Sequence, residues 1–185
     1  MESARFTLSL RMLNGNMFNF DRPQDAVYDI ELVAEMLGKK CRFGDHIRHH
    51  FSVAEHCVNA ARLYPRNPKG ALMHDSPEFI VDDVVTPIKR RLTGFDEIED
   101  RVATDMERRF NFIMPDKGTF KLVDTLLFHQ EEAALYDDVD PIYNIEIPIE
   151  CWEPKKAAQA FLDAYYSFPS ERYTPTFQDF PGNCL

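Results

Sequence analysis

Two imidazoles and two carboxylates interrupt stretches of this chain that are otherwise suited to burial. His56 lies inside Val53-Ala-Glu-His-Cys-Val58, and His74-Asp75 inside the run from Ala71 to Val81. Asp124 splits Phe120-Lys-Leu-Val-Asp-Thr-Leu-Leu-Phe128. A carboxylate in apolar surroundings is costly unless it is paired or holds a cation. All four anomalies are resolved together if these side chains meet around one metal ion. Nitrogen and oxygen donors suit a divalent ion such as zinc, cobalt or manganese. A coordination position left open to water would lower that water's pKa and supply a nucleophile near neutral pH. Residues three and four apart share a helix face. If helix persists through Ser76-Pro77, Glu78 therefore joins the face of His74 and Asp75, where it can shuttle protons without binding the ion. The same spacing sends Lys121 toward Asp124 and sets Asn59 one turn after His56.

Simpler readings compete for several of these residues. A lone apolar-flanked histidine is usually a hydrogen-bonded core residue, which is the expectation for His129. His46, His49 and His50 fall in a polar loop and read as solvated. Glu55 reads as the second half of a capping box begun by Ser52. Lys89, Arg90 and Arg91 fit a solvated helix face, and Lys121 can pair with Asp124 or Asp116. One His-Asp dipeptide carries little weight. Three apolar helical segments, each broken by a potential metal ligand, carry much more.

The elements that must position these groups are mostly helical. Runs rich in Phe, Leu and Met flank Asn14-Gly15 and predict a two-residue-turn β-hairpin over 5–20. A helix from about residue 29 has its apolar stripe at Ile30, Val33, Ala34 and Leu37 and ends at Gly38. Residues 39–51 show no period and form a loop carrying Arg42 and Arg48. Ser52 caps a helix to about Tyr64, Pro65 to Pro68 break the chain, and helix resumes over Gly70 to Asp75. Ser76-Pro77 and Thr86-Pro87 are suited to starting short helical turns. Phe95, Ile98, Val102, Met106 and Phe110 mark an amphipathic helix. Asp116 to Tyr136 predicts a long, widely apolar and therefore central helix, and Pro154 opens the last one, to about Phe168. The fold class is all-α with a small N-terminal hairpin. One domain spans 1–185, with 1–24 as the hairpin appendage and 169–185 as an irregular tail that wraps the body or a neighbouring subunit.

Bulk properties narrow the function further. With 31 acidic and 21 basic residues the 185-residue chain carries a net charge of −10, which disfavours duplex DNA as a partner. An anionic small substrate must be met locally, by a metal and a few placed Arg or Lys. No apolar run approaches the roughly 20 residues of a membrane helix. Cys41, Cys57, Cys151 and Cys184 lack any Cys-x-x-Cys pairing and read as reduced thiols. With no signal-peptide pattern at the start, the cytoplasm is the expected compartment.

His56, His74-Asp75 and Asp124, in that order on successive helices, resemble the H…HD…D signature of the HD-domain metal-dependent phosphohydrolases. His-Asp-Ser-Pro-Glu78 with Asp83 and Thr86-Pro-Ile-Lys89 is similar to the HD-x-x-E…D…TP-x-K stretch of the bacterial 5′-deoxynucleotidase branch. Cys41-Arg-Phe-Gly-Asp45 with Phe51-Ser-Val-Ala-Glu-His56 resembles related phage enzymes, including dATP triphosphohydrolases of phages that replace adenine with 2-aminoadenine. The similarity spans about residues 25–130.

The resemblance implies an HD-domain helical bundle in which His56, His74, Asp75 and Asp124 hold the metal and Glu78 is the acid–base residue. It further implies that Arg42, Lys89 and Lys121 meet phosphate oxygens, with Asp83 near the sugar or the attacked phosphate. Phe43 would stack on the base or shape its pocket, although relatives often carry tryptophan there. Asp45 stands where glycine is more usual. A second, magnesium site and a homo-oligomer, dimer or hexamer, are further implications, as is a phage-encoded enzyme at work in its host's cytoplasm. The expected activity is hydrolysis of a purine deoxynucleotide, favoured as dATP giving deoxyadenosine and triphosphate. Removal of phosphate from a deoxynucleoside monophosphate is the alternative within the class. A non-catalytic, metal-stabilised binding module is the alternative outside it. A phosphodiesterase acting on cyclic nucleotides or alarmones ranks below these, because no Gly-Tyr-Pro follows the signature.

Overall fold

The computed structural model describes residues 9–168 apart from residue 144. It is an all-α fold with a small N-terminal antiparallel hairpin. In chain order the elements are β1 (Ser9–Arg11), β2 (Met17–Asn19), α1 (Ile30–Lys39), α2 (Val53–Leu63), α3 (Pro68–Met73) and α4 (Glu78–Val81). These are followed by α5 (Thr86–Lys89), α6 (Phe95–Phe110), α7 (Lys117–Leu135) and α8 (Pro154–Ser167). Positions 5–8 of the expected hairpin and the tail over 169–185 lie outside the described residues.

The hairpin turn differs from the two-residue form that Asn14-Gly15 predicts. Arg11 pairs with Met17, the Met12 N–H donates to Asn16 and the Gly15 N–H to Met12. Gly15 takes the left-handed conformation, at φ 85°. This is a three-residue loop closed by glycine, the next commonest hairpin solution. The hairpin is also more than an appendage, because Phe18 is fully buried against Tyr28 and Phe79.

Helix α2 is the hub of the bundle and packs against α1, α3, α7 and α8. Every residue from Val53 to Ala61 is buried, including Glu55, His56 and Asn59. The expectation that the long helix α7 is central is therefore corrected. Its Phe120 and Leu127 enter a small second core with Ala60, Tyr64 and Ala71, while Leu122 is exposed. Helix α7 is apolar on more faces than the fold covers.

Local rules explain most boundaries. The Asp29 side chain accepts from the Leu32 N–H and starts α1. Asn67 caps α3 and Pro68 takes its first turn, so this helix begins two residues before the expected Gly70. Ser76 does not cap α4; its hydroxyl donates to the Met73 carbonyl, 2.6 Å away. Ser52 accepts the Glu55 N–H, but Glu55 does not return the bond as a capping box requires. Its carboxylate instead accepts the N–H groups of Glu150, Cys151 and Trp152 at 2.8, 3.1 and 2.7 Å. Burial alone would raise the Glu55 carboxyl, and these three donors oppose that rise.

Gly38 was expected to end α1, yet the helix continues to Lys39. The glycine has a packing role instead. A Cβ there would come within 2.5 Å of the Pro154 carbonyl and 3.2 Å of Ala158 on α8. Gly38→Ala should therefore destabilise the fold by about 1–3 kcal/mol through overpacking, read as a lower midpoint in denaturant unfolding.

Candidate metal centre

The side chains singled out by type and spacing come from five separate segments. His56 sits on the second turn of α2. His74 and Asp75 follow the end of α3, and Glu78 opens α4. The turn between them is tighter than an α-helix: Ser76 bonds back to Met73 and Glu78 to Asp75, each three residues away. Asp124 comes from α7. Arg42 precedes a left-handed turn in which Phe43, Gly44 and Asp45 have φ of 58°, 60° and 63°. Two non-glycine residues in that region are strained, and strain of this kind clusters where a side chain must be aimed.

His56, His74 and Asp75 form a group that could hold a metal ion, with one donor atom from each and all within 4.8 Å of one another. His56 Nε2 is 3.2 Å from His74 Nε2 and 3.4 Å from Asp75 Oδ2, which lies 3.0 Å from His74 Nε2. Asp124 borders the group, its Oδ1 being 3.6 Å from His56 Nε2.

The opposite ring nitrogens decide what these atoms can do. His74 Nδ1 faces the Ala71 carbonyl at 2.7 Å, and His56 Nδ1 faces the Glu131 carboxylate at 2.6 Å. Both partners accept, so each Nδ1 carries a proton, and whenever the rings are neutral each turns an Nε2 lone pair inward. Two lone pairs and the nearby carboxylate oxygens cannot satisfy one another. A divalent cation among them fits the donor set. The electrostatics agree. Burial alone would lower the His74 imidazole, yet Asp75 drives it well above its ordinary value. Burial would raise the Asp75 carboxyl, but His74 and His56 hold it well below. The cluster demands positive charge, from protons or from an ion.

Glu78 is the anomaly beside this group. Its Oε2 is buried and has no hydrogen-bond partner. Burial, then the charges of Asp75 and Asp83, push its carboxyl well above the usual range, against Arg42 and His74. Glu78 lines a cavity of about 350 Å³ together with His74, Asp75, Lys89, Lys121 and Asp124. The apolar walls are Pro77, Met114 and Phe120, and Glu99 and Asp100 add negative charge.

Both lysines at the cavity are already paired. Lys121 donates to Asp124 Oδ2 at 2.8 Å, and Lys89 contacts both carboxylate oxygens of Glu99, at 2.7 and 2.5 Å. Arg42 and Phe43 do not line this cavity. Arg42, expected to meet phosphate oxygens, sits 3.4 Å from Asp75 and 3.3 Å from Glu131. Phe43 stacks on Phe128 of α7 at 5.6 Å between centroids and meets Tyr136 edge-on. Asp83 is half-buried on the Arg42 side, where burial and Asp75 raise its carboxyl and Arg42 opposes them. Asn59 turns to Arg62 instead of the centre. His129, expected in the core, is half-exposed and bonded to Glu132 at 3.2 Å. Cys41, Cys57 and Cys151 are free thiols.

Sequence reasoning missed Glu131, which is fully buried against His56. The available signal was its spacing of seven residues, two helical turns, from Asp124. Glu99 was missed as well, because an acid on the polar side of α6 looks like any other solvated one.

No family model matches the chain. It is 27% identical over 127 residues to the protein YfdR of Escherichia coli K12, described only as uncharacterized, covering 68% of this chain and 71% of that one. It is also 27% identical over 185 residues to an uncharacterized protein of Rhodobacter capsulatus, covering 84% of this chain and 93% of the relative. No helix among the described residues is long and apolar enough to cross a membrane.

Proposed function

We propose that this protein is a metal-dependent phosphohydrolase of deoxynucleotides, of the HD-domain kind that its motifs resemble. The observation that carries the reading is the meeting of two inward-facing imidazole lone pairs with Asp75, beside a buried carboxyl, Glu78, that has no partner. His56, His74, Asp75 and Asp124 would hold the ion. When bound, a divalent ion activates water and neutralises charge on phosphate. Glu78 takes the proton of the attacking water and returns it to the leaving 5′-oxygen as the new P–O bond forms and the ester bond breaks. Lys89 and Lys121, which line the cavity, are the cations within reach of phosphate oxygens in the transition state. Arg42 steadies Asp75 from outside that lining, and Asp83 holds the charge balance around Arg42 and Glu78.

The cavity favours a single phosphate. Five acidic residues line it against two lysines, and each lysine already has a carboxylate partner. A triphosphate would have to displace both pairs, whereas a monophosphate needs little beyond the ion while the sugar and base rest on Pro77, Met114 and Phe120. A deoxynucleoside monophosphate is therefore the preferred substrate. Cleavage of dATP to deoxyadenosine and triphosphate, the version suggested by the resemblance to phage enzymes, is the second reading. A binding module with a structural metal has no use for an unpartnered Glu78.

Chelator-stripped protein given zinc, cobalt or manganese should release inorganic phosphate from one or more deoxynucleoside monophosphates, followed by chromatography against the four dNTPs. Triphosphate from dATP alone would select the second reading, and metal uptake with no turnover of any nucleotide would select the binding module. Glu78→Ala should keep the fold and the bound metal, and lose about 10²–10⁴-fold in turnover. Undiminished phosphate release by that variant would remove Glu78 from the chemistry.

A further inference from the structure

We propose that Glu131 is a positioning residue, whose one carboxylate sets both the metal-facing nitrogen of His56 and the guanidinium of Arg42. The inference rests on the metal-centre reading above. Glu131 Oε1 lies 2.6 Å from His56 Nδ1 and Oε2 lies 3.3 Å from Arg42 Nε. Arg42 Nη1 reaches Asp75 Oδ2 at 3.4 Å, and that same oxygen is 3.4 Å from His56 Nε2. Glu131, Arg42, Asp75 and His56 thus close a ring with the metal-facing nitrogen inside it.

Packing alone does not explain the carboxylate. Glu131 is fully buried on α7, one turn after the equally buried Leu127. An apolar side chain would fill that space with less desolvation. The Oε2 contact with Arg42 is an ion pair off hydrogen-bond geometry, and both atoms are buried without another partner. A group retained at such cost is explained by what it orders. A carboxylate behind a ligating histidine fixes the tautomer and ring angle and makes the other nitrogen a better donor. Helix periodicity supplies the pair. Asp124 and Glu131, seven residues apart, approach His56 from its Nε2 and Nδ1 sides respectively. Glu131 Oε2 has Arg42 as its neighbour and Oε1 has His56, so one carboxylate holds both the guanidinium and the metal-facing imidazole.

The test uses zinc alone and the full chain stripped of metal, with affinity measured by chelator competition. Glu131→Gln should bind zinc about 10- to 100-fold more weakly than the wild type. Glu132→Gln, which removes only the half-exposed partner of His129, should bind it unchanged. In the wild type, ¹⁵N-histidine NMR should find the proton of neutral His56 on Nδ1. Equal zinc affinity in Glu131→Gln and wild type, or a wild-type His56 protonated on Nε2, overturns the proposal while leaving the metal centre standing. Wild-type protein that binds no zinc overturns both. Should Glu131→Gln fail to fold, the His56 tautomer decides.

Discussion

His56 and His74 bring their Nε2 atoms to 3.2 Å of each other, with a carboxylate oxygen 3.0 Å from one and 3.4 Å from the other. None of these atoms can donate a hydrogen bond while the rings stay neutral. The contact is tolerable only with positive charge at its centre. Much of the surrounding architecture serves to hold it in place. Helix α2 is buried along nine successive residues, which holds its single imidazole, His56, in a fixed direction. The turn after α3 is wound tighter than an α-helix so that His74, Asp75 and Glu78 reach the same side. The left-handed turn at Phe43–Asp45 keeps Arg42 against the acidic side of the cluster.

Much of the architecture was readable from the chain because its signals are local. Ser52 and Pro154 announce helix starts through capping and ring chemistry that need no tertiary context, whereas the cap at Asn67 was passed over for a start at Gly70. His56, His74, Asp75 and Asp124 were visible for a different reason, since each breaks an apolar pattern that would otherwise be complete. What escaped detection depends on partners far away in sequence. Gly38 looks like a helix stop until α8 is packed against it. Glu55 looks like a cap until residues 150–152 arrive with three N–H groups. Glu131 looks like a surface acid until His56, 75 residues earlier, is seen behind it. Centrality was misjudged because α7 is apolar on several faces, whereas α2 is interrupted by polar residues that all find partners or functions.

The charge pattern separates two tasks that sequence alone merges. Arg42, Lys89 and Lys121 look interchangeable as phosphate contacts. In the fold they differ: Arg42 is locked between Glu131 and Asp75, Lys89 is paired directly with Glu99, and Lys121 with Asp124 Oδ2. An acidic protein can still present a site for an anion, because the field that matters is set within a few ångströms and not by the net charge.

Glu55 and His56 are neighbours on α2 that face opposite duties, one gripping the backbone at 150–152 and the other aimed into the centre. Adjacent positions on a rigid helix cannot drift independently. A change that loosens the strap across the back of α2 therefore disturbs the imidazole in front, and a change that moves the imidazole in turn stresses the strap. A substitution at this centre would call for compensating changes on the approach to α8, far along the chain from the imidazole they would have to steady.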